Sequence, residues 1–439
     1  MSETHPDICI IGAGSSGIAA AKALKQKGLA FEVFEKGSDI GGNWRYNNDN
    51  GVSAAYRSLH IDTSRKNLQY SDFPIPEHLP DFPSHWQVME YLDAYAARFG
   101  IRPHVRFRTS VTKVEPAGDG QWNVTFDSPD YPGGETRRYR AVLVANGHLW
   151  DQRWPDFPGR FDGVAIHSHA YKTADPFEDK RVLVVGIGNS AVDIAVDLCR
   201  RAKSVHLSTR RGAWVMPKYI LGIPTDRWSA FFSRKLKLPT VVTRMIIHKL
   251  MYLTVGDQAR YGVPKPPHPM WREHATISQE LLPYIGHGWI KVKPNVQELQ
   301  GDRIRFTDGS TEPYDAVIYA TGYRTSFPFL DPAVFEVKDR QAPQLYRRMV
   351  SVKNPGLYFV GLVQPIGATI PLVEIQSRWL ACLLKGEIAL PSKAEMEREI
   401  AEHWREVQRR YVDSARYTLE VDFRDYARQM HRDMKLAQG

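Results

Sequence analysis

The chain of 439 residues has only three cysteines, no long apolar run and no leader-like N-terminus. Cys9, Cys199 and Cys382 lie far apart, without the C-x-x-C spacing of a zinc site or a local redox pair. Metal ligation and dithiol chemistry therefore have no support, and Cys9 reads as a small buried hydrophobe in the first strand. No stretch approaches the roughly 18 apolar residues of a membrane span. Neither a basic n-region nor an apolar h-region follows Met1, so the cytoplasm is the expected compartment. A hydrophobic content of 43% with 24% charged residues fits a soluble globular protein, long enough for two domains. The net charge of +9 comes from scattered basic residues with short clusters such as Arg200-Arg201 and Arg234-Lys235. That reads as a solvated surface, and a basic site suits an anionic cofactor, so no nucleic-acid partner is expected.

What is present is a pair of glycine turns. The first, Gly12-Ala13-Gly14-Ser15-Ser16-Gly17, follows the apolar run Ile8 to Ile11 and opens a helical stretch. The second, Gly186-Ile187-Gly188-Asn189-Ser190-Ala191, follows Val182 to Val185. The first glycine permits the tight turn, the second lets a diphosphate approach the backbone, and the small third residue lets helix and strand pack. The helix start offers unpaired N–H donors to phosphate. The two copies differ in charge downstream. Glu35 lies 23 residues after Gly12, and Arg210, followed by Arg211, lies 24 after Gly186. An acid there accepts bonds from ribose hydroxyls, whereas an arginine grips a 2′-phosphate. The first turn reads as a site for FAD and the second for NADPH, and a chain that binds both moves electrons.

The order of elements predicts an α/β fold with two Rossmann-like dinucleotide-binding domains, the NADPH domain inserted into a discontinuous FAD domain. The expected bounds are 1–165 for the first part of the FAD domain, 166–320 for the NADPH domain with a helical insertion at about 216–285, and 321–439 for the rest. Helices are expected over Gln87–Phe99 and Ser392–Gln408, and strands over Val105–Val114, Gln121–Phe126, Tyr139–Ala145, Val296–Thr307, Ala316–Ala320 and Leu357–Leu362.

Paired glycines recur in Gly41-Gly42-Asn43-Trp44-Arg45, where Gly42 suits close approach to the flavin's diphosphate and Trp44 is a candidate neighbour. Phe161-Asp162-Gly163-Val164-Ala165-Ile166-His167-Ser168-His169-Ala170-Tyr171, just before the second turn, matches the F-x-G-x-x-x-H-x-x-x-Y identifier of flavin-containing monooxygenases. Ser208 to Val215 resembles that family's NADPH strand, Ala320-Thr321-Gly322-Tyr323 its A-T-G-Y segment, and Gly361 to Ala368 its C-terminal flavin segment. Tyr417 to Phe423 also has a counterpart. The resemblance covers nearly the whole chain. It lacks the hydrophobic C-terminal anchor of microsomal members, and so looks like a soluble bacterial-type member.

The resemblance implies an enzyme in which NADPH reduces FAD, NADP stays bound, and dioxygen adds at flavin C4a to give a hydroperoxyflavin. A soft nucleophile, a tertiary amine or a sulfide, then takes the distal oxygen. The protein shields that species from water, and no acid–base pair or covalent nucleophile is required. A homodimer is expected by the same resemblance. Baeyer–Villiger oxygenation of ketones and an uncoupled NADPH oxidase are the alternatives. The former is disfavoured because those enzymes usually carry a longer identifier ending in Trp rather than Tyr171.

The resemblance also assigns residues. Ser16, Thr63, Ser190, Ala191, Asp193 and Thr209 join the glycines, Glu35 and the arginines as cofactor-binding candidates. His60 and Asn189 are expected beside the cofactors, Val111 beside the FAD adenine, and Gln364 where the last strand passes the flavin. His167 and Tyr171 shape the connector between domains. One departure concerns Tyr56-Arg57-Ser58-Leu59-His60-Ile61-Asp62-Thr63-Ser64, which places Asp62 where the family has an active-site Asn. An Asn amide donates and accepts, and an ionised Asp only accepts. Either burial keeps Asp62 protonated, or the chemistry shifts toward leakage or a different oxygenation. Asp62 and Asn189 are therefore the catalytic candidates. Trp228 to Val255 holds aromatic, basic and apolar residues that suit a membrane surface, although packing on the rest of the protein is the commoner fate of such a pattern. In the family this region also covers the substrate entrance.

Overall fold

The computed structural model describes residues 6–338, 340–412 and 418–436. It separates into two compact units. The first takes the described residues up to Ser53, then Arg65–Asp151 and those from Thr325 on; the second takes Ala54–Ser64 and Gln152–Arg324. Residues 54–64 and 152–165, expected with the first domain, thus pack in the second unit, as do residues 321–324.

The first unit is built on β1 (Ile8–Ile11), α1 (Ser15–Gln26), β2 (Phe31–Phe34) and β3 (Ala141–Val144). β1 pairs in parallel with β2 on one side and β3 on the other, Ile8 opposite Phe31 and Ala141. Every residue of these strands is buried. Such continuous apolar runs belong to strands covered on both faces. Beyond β2 the sheet continues with Val105–Arg106; beyond β3 come Leu357–Phe359, Val350–Ser351 and Leu345–Tyr346. α1 packs on the helix Thr369–Lys385. An antiparallel sheet of Ser110–Gly118, Gln121–Ser128 and Tyr131–Tyr139 contributes Trp122, Val124, Phe126 and Tyr139 to a core shared with Cys9, Val142 and Val144.

The second unit repeats the theme. β4 (Val164–His167), β5 (Arg181–Val185), α2 (Asn189–Leu198), β6 (Ser204–Ser208), β7 (Ile290–Lys293) and β8 (Ala316–Tyr319) follow in chain order. The sheet runs β4-β8-β5-β6-β7 with every pairing parallel. Val182, Val184, Val205 and Ile318 pack against Val192 and Ala195 of α2 in its core. Between β6 and β7 lies an insertion carrying α3 (Thr240–Val255). It is less helical than expected, with short strands at Val215–Met216, Tyr219–Ile220, Ile223–Pro224 and Thr276–Ile277.

Several elements are shorter than the sequence pattern predicts. The strand expected over Val105–Val114 breaks where Arg108 takes a left-handed backbone, φ 50°. Val296–Thr307 is a hairpin, Val296–Gly301 and Arg303–Phe306, because Gly301 turns at φ 68°. The Tyr139–Ala145 run is divided between the end of Tyr131–Tyr139 and β3. The helix expected from Gln87 begins at His85, its start fixed by Gln87 Oε1 accepting from Ser84 N at 3.0 Å. The charged helix is Lys393–Arg410, with Ser392 as its cap: Glu395 N donates to Ser392 Oγ at 3.4 Å and Ser392 N to Glu395 Oε2 at 2.9 Å.

Candidate functional site

The two glycine turns fold alike. Gly12 N donates to Phe34 O at 2.8 Å, and Gly186 N to Ser208 O at 2.9 Å, so each turn leaves its strand toward the next strand of its unit. Gly12 has φ 101° and Gly186 φ 134°. A Cβ on Gly12 would lie 2.7 Å from Ala145 O, and one on Gly186 2.5 Å from Ala320 O, so neither position accepts another residue. On Gly17 a Cβ would fall 1.8 Å from Gly12 O, which fixes the close approach of helix and turn. Gly14 and Gly188 are the N-caps of α1 and α2, in extended backbone and without a side-chain cap. Each helix therefore presents amide donors that no capping side chain consumes, among them those near Ser16 in the first and Ser190 in the second. Gly42 sits against Gly14: a Cβ on Gly42 would be 3.1 Å from Gly14 Cα. A diphosphate fits this bare stretch of backbone.

Glu35 directly follows β2 as a buried carboxylate. Its Oε2 accepts from Ala13 N at 2.8 Å, and its Oε1 from Gly37 N at 2.8 Å and Asn50 Nδ2 at 3.2 Å. Three of the roughly four lone-pair sites of a carboxylate are filled from the turn and its neighbours, which leaves one for a sugar hydroxyl. Trp44 closes the tight turn after Gly41, its N donating to Gly41 O at 3.1 Å. Val111 lies opposite Phe126 in the antiparallel sheet, next to a register shift. Gln364 pairs with Glu420 in a short parallel ladder. Of the C-terminal motif, Tyr417 lies outside the described residues.

In the second unit Arg210 and Arg211 leave the end of β6. Arg210 is exposed, whereas Arg211 is held by the buried Glu273, Nη2 to Oε2 at 3.3 Å. Thr209 is buried, and its hydroxyl accepts from Gly212 N at 3.1 Å, which shapes the turn that carries the arginines. The two differ in engagement: the Arg211 guanidinium is tied to Glu273, and Arg210 stands exposed.

At the start of α2, Asn189 is engaged through both ends of its side-chain amide. Its Nδ2 donates to Asp62 Oδ2 at 2.7 Å, and its Oδ1 accepts from Ile277 N at 3.0 Å. Lys218 stands on the other side of Asp62, its Nζ 3.5 Å from Oδ1, and donates to Ile61 O at 3.2 Å. Burial pushes the pKa of Asp62 above the ordinary carboxylate range; Lys218 and then Asn189 pull it back. Asp193, one turn along α2, accepts from Tyr56 Oη at 2.6 Å. Burial, and next the charge of Asp62, raise its pKa. Asp193 therefore faces the segment 54–64 through Tyr56 and anchors it. Thr63 is partly buried in that segment, while His60 is exposed and turned to Ser58 O at 2.9 Å. Lys218 escaped the sequence reading, and Tyr56 was read only as the start of the segment that carries Asp62. Each meets its partner over a long sequence separation.

The identifier motif also has a physical account. His167 Nε2 lies 3.1 Å from Gly322 O, and His169 N donates to His167 Nδ1 at 3.2 Å. That pair of contacts requires the neutral ring with its proton on Nε2. Burial lowers the pKa of His167 to about 4. Tyr171 Oη donates to Asp197 Oδ2 of α2 at 2.5 Å. The motif thus ties β4 to the A-T-G-Y turn and to the dinucleotide helix. Among the described residues no cluster of His, Cys, Asp or Glu could hold a metal ion, all three cysteines are free, and no helix is long and apolar enough to cross a membrane.

Two such glycine-turn units, one ending in an acid and the other in arginines, define a two-dinucleotide flavoprotein. A family described as flavin-binding monooxygenase-like matches residues 6–436. The chain is 39% identical over 434 residues to flavin-containing monooxygenase 5 of Oryctolagus cuniculus, covering 95% of this chain and 80% of that protein. It is 36% identical over 437 residues to dimethylaniline monooxygenase [N-oxide-forming] 2 of Rattus norvegicus, covering 95% and 81%. Among solved structures, the S-allyl-L-cysteine S-oxygenase of Allium sativum aligns with a TM-score of 0.74 at 25% identity, covering 99% of this chain and 90% of that one. The chain belongs to the flavin-binding monooxygenase-like family. FAD and NADPH are the cofactors of this class, and O2 and a small molecule its substrates.

Proposed function

We propose that the protein oxygenates the nitrogen or sulfur of soft nucleophiles, tertiary amines and sulfides, at the expense of NADPH and O2. The observation that supports the two-cofactor part of this reading is the contrast between the two turns: buried Glu35 closes one, and exposed Arg210 flanks the other. The relatives' names, N-oxide-forming and S-oxygenase, point to the same substrates. A homodimer accompanies the reading on family resemblance alone, and the cytoplasm is the compartment the sequence leads one to expect.

Bound FAD would supply the electron transfer from NADPH to dioxygen, with one oxygen atom delivered to the substrate and the other leaving as water with the hydride-derived electrons and protons, one of them from solvent. Gly12, Gly14, Ser16, Gly17, Glu35 and Gly42 would hold the FAD diphosphate and ribose. Gly186, Gly188, Ser190 and Ala191 would hold the NADPH diphosphate, with Thr209 shaping the turn from which Arg210 meets the 2′-phosphate. Asn189 donates to Asp62 and accepts from Ile277 N, which holds Asp62 and its segment beside the second glycine turn. Asp62 there presents a carboxylate whose protonation is set by burial against Lys218. A carboxylate kept protonated donates as the family's Asn would, and an ionised one does not. Incubation with NADPH, O2 and a tertiary amine, a sulfide or a ketone, with products identified by mass, tests the reading. An N-oxide or sulfoxide supports it. A lactone or ester alone moves the protein to ketone oxygenation, and hydrogen peroxide alone makes it an oxidase.

A further inference from the structure

The turn after β6 carries two arginines, and the fold gives one of them to a carboxylate. Glu273 is 6% exposed. Its Oε2 lies 3.3 Å from Arg211 Nη2, and its Oε1 lies 3.2 Å from Nε2 of His268, whose side chain is buried as well. A buried carboxylate is costly unless cations or donors answer it. Arg211 supplies the permanent charge, since a guanidinium keeps its proton at any ordinary pH.

The backbone fixes where that carboxylate stands. Three residues on, Thr276 N donates to Trp214 O at 2.8 Å and Thr276 Oγ1 to Ile187 O at 2.6 Å. Ile277 N donates to Asn189 Oδ1 at 3.0 Å. The short strand Thr276–Ile277 is thereby fastened to the exit of the arginine turn and to the second glycine turn together. Gly212, at φ 74°, sits against Pro264: a Cβ there would lie 2.0 Å from Pro264 O. Arg211 can therefore leave Glu273 only by rotating its side chain away from a buried carboxylate, a costly exchange.

A 2′-phosphate beside this turn is recognised by cations, and a ribose hydroxyl by an acceptor such as a carboxylate. We propose that Glu273 sets the balance between NADPH and NADH. It withholds Arg211 from the 2′-phosphate, so that Arg210 carries the preference for NADPH and the preference is weaker than two arginines would make it. Glu273 is a positioning residue, acting through Arg211. The proposal rests on the reading of the second glycine turn as the NADPH site.

Calorimetric titration of the FAD-loaded full chain with adenosine 2′,5′-bisphosphate and with adenosine 5′-monophosphate, which differ only in the 2′-phosphate, tests it without turnover. Glu273→Gln is expected to tighten the bisphosphate about tenfold, the worth of one added charge-assisted contact, and to leave the monophosphate within about twofold. The gain should vanish in the double variant Glu273→Gln/Arg211→Ala. Glu273→Asp keeps the charge and draws it back from Arg211; it should give a smaller gain in the same direction, and it carries the test if Glu273→Gln does not fold. A parent that binds both fragments equally well removes 2′-phosphate recognition from this turn, and the proposal falls with the reading it rests on. A parent that discriminates while the Glu273 variants do so no better overturns the proposal by itself, and so does a variant that melts lower and loses both fragments alike. A gain that survives in the Arg211→Ala background would also overturn it, because the effect would then not pass through Arg211.

Discussion

The side-chain amide of Asn189 donates to the carboxylate of Asp62 at 2.7 Å, and the two residues are 127 positions apart in the chain. This bond fastens segment 54–64 to the first residue of a dinucleotide helix. It also holds a carboxylate at the position where the sequence resemblance leads one to expect an amide.

Asp62→Asn should therefore change how NADPH is spent rather than how tightly it binds. The variant is expected to shift the ratio of oxygenated product to hydrogen peroxide severalfold, with KM for NADPH within about twofold of the parent. Asp62→Ala should be worse, since it strands the Asn189 donor at a cost of about 1–3 kcal/mol. Parallel assays of NADPH, product and peroxide decide this. An unchanged ratio in both variants would remove Asp62 from the reaction.

The two arginines should part company. Arg210→Ala is expected to raise KM for NADPH about tenfold, the loss of one charge-assisted contact to phosphate, while KM for NADH stays put. Arg211 is already committed to Glu273. Its alanine variant should lower the melting temperature and affect NADPH less. Steady-state kinetics with both nucleotides, beside thermal melts, separate the roles; the reverse order would mean that Glu273 releases Arg211 when NADPH binds.

Gly17→Ala should cost FAD. The added carbon would fall 1.8 Å from Gly12 O, so the turn must open. Purified protein is expected to lose most of its bound flavin, visible as a lowered ratio of flavin to protein absorbance. Full FAD occupancy would show that the turn is not where FAD is held.

Acid should unfold the protein partly through His167. Its pKa is about 4 in the fold, against an ordinary 6.5, because burial disfavours the cation. The unfolded chain thus takes the proton first. The contribution is complete above about pH 6.5 and is lost as pH falls toward 4. His167→Gln should give a shallower loss of melting temperature across that window than the parent shows. An identical slope would mean that other groups carry the acid response.

The sequence is most informative where local geometry demands a residue type. Gly12, Gly17 and Gly186 could be read because no Cβ fits, and β1, β2 and β5 because continuous burial needs continuous apolar runs. It is least informative where a contact joins distant segments. Nothing local marks Lys218 as the neighbour of Asp62, or Tyr56 as the donor to Asp193. The break at Arg108 also hides, since a non-glycine residue with positive φ carries no signature. The Gly301-Asp302 turn, by contrast, was written in the sequence as a glycine beside an aspartate, and the apolar alternation on either side obscured it.

The central claim is that an oxygen atom from O2 reaches the substrate. Turnover of a sulfide or tertiary amine under ¹⁸O₂ with NADPH, with product analysed by mass, tests it directly. The account predicts one heavy oxygen in each sulfoxide or N-oxide molecule and none when the label is in water. Unlabelled product, or NADPH consumed with hydrogen peroxide as the sole oxygen product, would contradict it.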